Sequence, residues 1–482
     1  MTNLKFDLIV VGCGVAGLSA AVSAAENCLS VAVLERATRD ERGGQSRFTE
    51  AYLRMQSETA VTDDFEDFLA ENSGFYQDPD YVAESLSERQ HWSAQARALP
   101  SVDASIISAF SEGVPTTIKW LQENGVKFDF LPTQFLTSTQ PRLLPVGGGE
   151  AIVETLAAKA ESLGATFFYE TSGRELRVNQ ANQVIGLKAH SRVKGGIEFE
   201  GEVVVASGGF EGNSEMMTRY LGHRAAYLRP VCKGGYYNRG EGIQMSLDVG
   251  AAAGGEYGNY HAEPVDPRSG ISEPSIFIFP YGILVNKEGK RFTDEAPGTV
   301  DAWYERITRK VYGQTDGIAY CVLDQKVKDI PNYRLGIRTD QPAIEASTIE
   351  GLAEKLELPV DDFVQSVERY NAACKGGEYK PLEVDGVCTE NLRPAKSNWA
   401  LPIDKGPFMA YPMISANVFT FGGLKIDEGA RVINIDGDPI KGLYAAGETV
   451  GMYYRNYCGG TSVLRGLTFG RIAGRTAAGL EV

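Results

Sequence analysis

The chain has 482 residues, 43% hydrophobic and 23% charged, the composition of a globular protein with room for about two to four domains' worth of core. Its formal net charge of −16 disfavours nucleic acid and anionic membrane as main partners, since both select a basic face, but leaves an anionic small substrate open. No uncharged apolar run reaches the ~18 residues of a membrane span, and Leu8–Val11 is too short for a signal peptide. The seven cysteines are scattered singly, without CxxC or a Cys/His cluster. This argues against zinc or iron–sulfur ligation, leaves no metal expected, and points to a reducing cytoplasm.

In chain order, the apolar strand Leu8–Val11 runs into Gly12-Cys13-Gly14-Val15-Ala16-Gly17, then an Ala-rich helix, then a second strand, Val31–Leu34, ending at Glu35 and Arg36. Gly12 permits the tight turn, Gly14 lets a pyrophosphate approach the backbone, and Gly17 lets the helix lie close on the sheet. The helix N-terminus, with Val15 and Ala16, offers N–H groups and a positive dipole end to phosphates. Glu35 stands where a carboxylate accepts hydrogen bonds from a ribose. Strand, glycines, helix, strand and terminal acid together predict a dinucleotide site.

Gly43-Gly44-Gln45-Ser46 makes a loop able to run along a flat ligand. Residues 60–125 carry helical periodicity with acidic surface faces. Val126–Leu131 reads as a strand, 132–140 as a polar turn region, and Gly147-Gly148-Gly149 precedes a helix, Ala151–Leu163. Strands follow at 166–169, 175–178, 184–190, 196–200 and 203–206, the last closing on Ala206-Ser207-Gly208-Gly209. Gly240-Glu241-Gly242 opens another helix. From about 256 to 415 aromatics and prolines rise. This block holds strands at 282–286 and 318–323, a helix over 347–356 with a capping box of Ser347 and Glu350, and a helix over 361–374. It reads as an inserted cap. The first domain's sheet resumes near Ala416, with a strand over 418–426, a hairpin at Asp436-Gly437 and a strand ending at Gly447-Glu448. Tyr457-Cys458-Gly459-Gly460-Thr461-Ser462-Val463 then leads into a helix of small residues whose N-terminus is a second dipole-friendly site. The expected fold class is α/β: a Rossmann-like dinucleotide domain built from both chain ends (1–257 and 416–482) with an inserted α+β cap (258–415).

These segments, in this order, resemble the flavoprotein family of fumarate reductase and succinate dehydrogenase across nearly the whole chain. Ala395–Ile403 and Val367–Cys374 resemble the tricarballylate dehydrogenase subgroup. The resemblance implies FAD, held without an NAD(P)H domain. It implies Glu35 on the adenosine ribose, Gln45, Ser46 and Glu241 near the flavin, and Glu448 at the ribityl–phosphate region. It also implies the Ser462 and Val463 N–H groups facing the flavin N1–C2=O edge, where they stabilise the reduced anion.

Three positions depart from the fumarate reductase pattern. Thr299 and Tyr457 stand where the family has arginines, and Phe419 where it has a histidine. His261 alone is kept. Without charged groups to hold two carboxylates, fumarate reductase proper is not expected. Tyr457 before Gly459-Gly460 resembles the 3-ketosteroid dehydrogenases, in which a phenol and a glycine N–H polarise a substrate carbonyl. The expected function is an FAD-dependent dehydrogenase forming a C=C bond next to a carbonyl or carboxyl of a small substrate, by proton abstraction and hydride transfer to flavin N5. The alternative is an ene-reductase working in reverse. An outside acceptor — quinone, partner protein or oxygen — would reoxidise the flavin. Candidate catalytic residues are Tyr457, Tyr281 as base, His261 and Arg455. Candidate substrate contacts are Arg54, Arg142, Gly459, Gly460 and Arg465. Each has a structural alternative: a packed tyrosine, a hydrogen-bonded histidine or a surface ion pair.

Overall fold

A computed structural model describes residues 2–71, 79–99, 104–131 and 142–480. The segment 132–140, expected as a polar turn, lies outside the described residues. The apolar run Leu8–Val11 is buried on both faces, as the centre of a parallel sheet requires. The strand that carries it, Thr2–Val11, pairs in parallel with Gly195–Val205 on one side and Val31–Leu34 on the other. Pro439–Ala445 adds beyond Gly195–Val205, and Thr166–Phe168 beyond Val31–Leu34. Both chain ends therefore share one sheet of eight strands. The expected strands 196–200 and 203–206 are one strand, because its first half pairs with Val184–Ser191 and its second with Pro439–Ala445.

The first helix, Val15–Glu26, packs directly on the last, Ser462–Ala477. Small residues make the approach possible. A Cβ on Gly470 would lie 2.2 Å from the Ala16 carbonyl oxygen, and one on Gly474 would lie 2.5 Å from that of Ala20. The helix that seals the far end of the chain is thus locked onto the helix that begins the dinucleotide motif.

The cap is organised around a 13-residue strand, Phe408–Thr420. It pairs antiparallel with Tyr260–Val265, Ile318–Leu323 and Ile344–Ala346, and parallel with Arg229–Pro230. This corrects two expectations. The first domain's sheet does not resume at Ala416, since one strand crosses the expected 415/416 boundary. The strand expected over 418–426 is the end of the cap strand plus Gly423–Leu424, which pairs separately with Ala253–Gly254. Residues 408–421 are almost all buried, so the run shows no alternation to mark its limits. The helix expected over 347–356 spans Ile349–Lys355 and is capped by Thr348, whose hydroxyl accepts the Gly351 N–H at 3.1 Å, rather than by Ser347. The hairpin of Arg431–Ile433 and Pro439–Ala445 turns at Gly437 with φ +87°. Among the described residues no helix is long and apolar enough to cross a membrane.

Candidate active site

A cleft runs along the carboxyl ends of the parallel strands, where Val11, Leu34, Val205 and Ala445 hand over to loops. All residues read as cofactor-binding line it except Gly17. Gly17 works from behind: a Cβ there would sit 2.0 Å from the Gly12 carbonyl oxygen. Gly12 has φ +110°, and a Cβ on it would meet the Ala206 carbonyl at 2.2 Å. At one end of the cleft Glu35 is buried, and its two oxygens accept the Cys13 N–H at 3.1 Å and the Ala37 N–H at 2.8 Å. Both oxygens are held in place, with remaining lone pairs available to ribose hydroxyls. Burial raises its pKa. Arg36 bridges Glu241 at 2.6 Å. Glu241, expected near the flavin, lines the cleft beside Arg36 and Arg174.

In the middle, Val15 N–H donates to Ser46 Oγ at 3.3 Å, tying the first helix's N-terminus to the Gly43–Ser46 loop. Glu448 accepts from the Thr420 N–H at 2.8 Å and from Asn238 Nδ2 at 3.2 Å. Asn238 Nδ2 also donates to Glu211 at 2.6 Å, and Gln45 Nε2 donates to the same Glu211 oxygen. Burial, and then the charge of Glu448, push Glu211 well above the usual carboxylate range, so Glu211 is the protonated member of this pair. The glycine cradle, the fixed acid at the second strand and the two helix N-termini fit FAD.

The other end of the cleft is lined by Thr49, Val231, Cys232, Glu273, Val418, Phe419, Ser462, Val463 and Arg465. Tyr457 stands beside this wall, its ring 5.1 Å from Phe419. Its hydroxyl accepts the Thr461 and Ser462 N–H groups, both at 3.1 Å, and donates to Ser462 Oγ at 3.1 Å. The Ser462 N–H, expected to face the flavin edge, is thus directed at the phenol, while Val463 remains on the cleft wall. His261, 5% exposed, lies 4.3 Å from the Tyr457 ring and shares a 2.7 Å hydrogen bond with the Tyr304 hydroxyl through Nε2. Its Nδ1 has no hydrogen-bond partner among the described residues. Burial, and then the Arg309 charge, lower its pKa to about 3, so the ring is neutral. Arg465 is 1% exposed, donates to the Val450 carbonyl at 3.1 Å, and lies 4.6 Å over the Tyr453 ring. It is a fixed cation on the cleft wall.

Other expectations are corrected. Tyr281 packs in the cap core against Trp399 and donates its hydroxyl to the Pro381 carbonyl; burial raises its pKa, and it does not line the cleft. Arg455 is exposed, with its backbone at φ +52°. Arg54 bridges Asp64 and donates to the Gly459 carbonyl at 3.3 Å, while its N–H donates to the Gly460 carbonyl at 2.9 Å. It therefore braces the Gly459-Gly460 loop and does not itself line the cleft. Arg142 begins the strand Arg142–Pro145, and its side chain lies outside the described set. Thr299 is the N-cap residue of the helix Val300–Tyr312. The sequence reading missed Thr49, Cys232, Tyr237 and Glu273, which line the cleft from loops without a motif.

Fold and cleft together define an FAD-binding oxidoreductase. The chain belongs to the FAD binding domain family, whose profile matches residues 7–464. NADH:acrylate oxidoreductase of Vibrio harveyi is 27% identical over 545 residues, covering 98% of this chain and 50% of that protein. 4-Oxocyclohexanecarboxylate 2-dehydrogenase of Sinomonas cyclohexanicum is 30% identical over 366 residues, covering 69% of this chain and 61% of that one. The chain thus spans about half the length of the first relative and about three-fifths of the second. Among solved structures, the open conformation of a flavocytochrome c3 fumarate reductase matches with a TM-score of 0.75 at 22% identity, covering 99% of this chain and 78% of that one. That likeness establishes the shared fold.

Proposed function

We propose that the chain is an FAD-dependent dehydrogenase that forms a C=C bond next to a carbonyl or carboxyl group of a small organic substrate. The carrying observation is the Tyr457 hydroxyl, fixed by the Thr461 and Ser462 N–H groups beside Phe419 and the neutral His261. With two N–H donors aimed at its oxygen, the phenol has one proton left to give. It goes to Ser462 Oγ here, and to a substrate carbonyl oxygen when one is present. Withdrawing electrons from the carbonyl acidifies the neighbouring C–H. Bound FAD supplies the two-electron acceptor. Arg465 and the N-terminus of Ser462–Ala477 favour the negative charge that accompanies reduction. Among the described residues that line this end of the cleft, Arg465 is the one arginine and Phe419 lies beside it, which supports a substrate other than a dicarboxylate.

All seven cysteines are free, which supports the reading of a reducing, cytoplasmic compartment. Reoxidation would fall to a quinone, a partner protein or oxygen. The reverse reading, an ene-reductase, is favoured by the name of the Vibrio harveyi relative. One experiment separates the two. The flavin spectrum is followed anaerobically while saturated ketones and acids are added to oxidised protein, and their unsaturated counterparts to reduced protein. Bleaching by a saturated compound supports the dehydrogenase. Reoxidation by an unsaturated compound alone supports the reductase. No response from either series sinks both.

A further inference from the structure

The loop that carries Tyr457 is held in place by side chains that reach it from the cap. The helix Val300–Tyr312 packs on the strands Tyr260–Val265 and Phe408–Thr420 and turns two successive residues toward the Tyr457 wall. Tyr304 meets His261 at 2.7 Å. Glu305 is buried, and its Oε2 accepts the Tyr457 N–H at 3.2 Å. Its other oxygen, Oε1, accepts Arg309 Nη2 at 2.8 Å. Both partners are donors, as an ionised carboxylate requires, and Arg309 supplies the cation that a buried carboxylate needs. Arg309 also donates to the Tyr260 carbonyl and to Asn259 Oδ1. Asn259 Nδ2 donates to the Arg455 carbonyl at 3.1 Å and to Glu256 at 3.0 Å, and Glu256 accepts the Arg455 N–H at 2.7 Å. Both backbone polar groups of Arg455 are therefore taken, which holds it at φ +52°, a conformation that an arginine rarely adopts. Tyr457 is gripped at both ends. Its N–H points to Glu305, and its hydroxyl receives the Thr461 and Ser462 N–H groups, both at 3.1 Å. The ring between them lies 4.3 Å from His261 and 5.1 Å from Phe419. Where this ring lies decides the direction in which the phenol offers its proton.

We propose that Glu305 is a positioning residue for the Tyr457 phenol, acting through the Tyr457 N–H without touching substrate. What the phenol does to substrate rests on the dehydrogenase reading above. Where the phenol is held rests on this network of hydrogen bonds. Removing the carboxylate strips the Tyr457 N–H of its acceptor and Arg309 of its ion-pair partner. The segment 455–457 then settles elsewhere, and the hydroxyl leaves its line to the substrate carbonyl. A displacement of about 1 Å at a reacting group costs on the order of 10²-fold in rate. Because Glu305 does not line the cleft, the loss falls on the chemical step rather than on substrate affinity. Glu305→Gln has one acceptor oxygen for two donors, and its amide NH₂ faces whichever donor that oxygen does not take. It should therefore fall between the wild type and Glu305→Ala.

Two measurements on holoenzyme test this. The first needs no substrate: 3-fluorotyrosine is placed at position 457 and its fluorine resonance is followed by NMR. Glu305→Ala is expected to shift or split this resonance with FAD content unchanged, and Glu305→Gln to do so to a smaller extent. The second is the rate at which cyclohexanone bleaches bound FAD anaerobically. Glu305→Ala is expected to lower the saturating rate by about 10- to 100-fold, with the half-saturating concentration nearly unchanged. In Tyr457→Phe, which lacks the hydroxyl, adding Glu305→Ala is expected to cost nothing further, because the two changes act through one group. A residue that merely stabilised the fold would lose rate equally in both backgrounds. Should Glu305→Ala fail to fold, Glu305→Gln carries both measurements. A resonance at 457 that stays unmoved in the Glu305 variants overturns the proposal. So does a rate loss that multiplies onto that of Tyr457→Phe. A resonance that moves, with no saturated ketone bleaching the wild type, instead upholds the placement and counts against the dehydrogenase reading.

Discussion

Replacing His261 with Phe separates two energies that the wild-type ring combines. The ring is buried between Tyr304, Phe419 and Tyr457, and its pKa is lowered from 6.5 to about 3. In the unfolded chain the ring takes a proton as pH falls below 6.5, while in the folded protein it does not until about pH 3. The unfolded state therefore binds more protons across that window. Stability from this site is complete above 6.5 and is lost as pH falls toward 3, by about 1.4 kcal/mol per pH unit. Between about pH 6.5 and pH 5 the wild type should lose about 2 kcal/mol that the Phe variant keeps. Against this, Phe cannot accept or donate the 2.7 Å hydrogen bond with Tyr304, a pH-independent penalty of about 1 kcal/mol. The two stability curves should therefore cross: the variant is weaker near neutrality by about 1 kcal/mol and stronger near pH 5 by about as much. Urea unfolding with FAD in excess, run across that range, measures the difference directly, since every other titrating group contributes equally to both proteins. Parallel curves would mean that the folded ring takes up its proton as readily as the unfolded one, and the picture of a neutral aromatic wall would be wrong.

Glu35→Gln keeps the shape but halves the acceptor capacity facing a ribose, so FAD affinity should fall by about 10- to 100-fold, as quenching of FAD fluorescence would show. Unchanged affinity would remove Glu35 from the cofactor site. Gly470→Ala places a Cβ 2.2 Å from the Ala16 carbonyl and should destabilise by about 1–3 kcal/mol. Because Ala16 also lines the cleft, FAD binding should weaken alongside thermal stability; a variant with wild-type melting would show that the two helices can separate freely. Glu211→Gln keeps a carbonyl oxygen for Asn238 and Gln45 but removes the titration. The raised pKa means that the folded state retains a proton that the unfolded state gives up, so wild-type stability should decline as pH rises above 4.5 toward the folded pKa. The variant should escape that decline, and its advantage in chemical unfolding should grow as pH rises above 4.5; a constant difference would show that Glu211 titrates normally.

Where the backbone itself demands a residue type, the chain was legible. Gly12 must hold φ +110° against the Ala206 carbonyl, and Gly17 must admit the Gly12 carbonyl, so their spacing announced the cleft before any fold was seen. Glu35 was legible because a strand end fixes which way its carboxylate is carried. The cap strand Phe408–Thr420 was not, because a strand buried on both faces loses the alternation that would show where it starts and stops. Tyr281 and Glu273 show the same limit from opposite sides. An aromatic in an aromatic-rich segment looks like a pocket residue and is core. A glutamate in an anonymous loop looks like surface, and is carried to the cleft only because loop 266–274 folds back onto its own strand.

The residues that depart from the fumarate reductase pattern are not independent losses. Phe419 pairs with His261 across the strands Phe408–Thr420 and Tyr260–Val265, and Tyr457 packs on both rings. Thr299 opens the helix Val300–Tyr312, whose Tyr304 meets His261. Each member constrains the charge the next can carry. A cation at 419 or 457 would face a ring that burial already keeps neutral, and an arginine at 457 would also remove the phenol that receives the Thr461 and Ser462 N–H groups. These positions form one connected aromatic surface, and on the function proposed above it is this surface, not the glycine cradle, that selects the substrate.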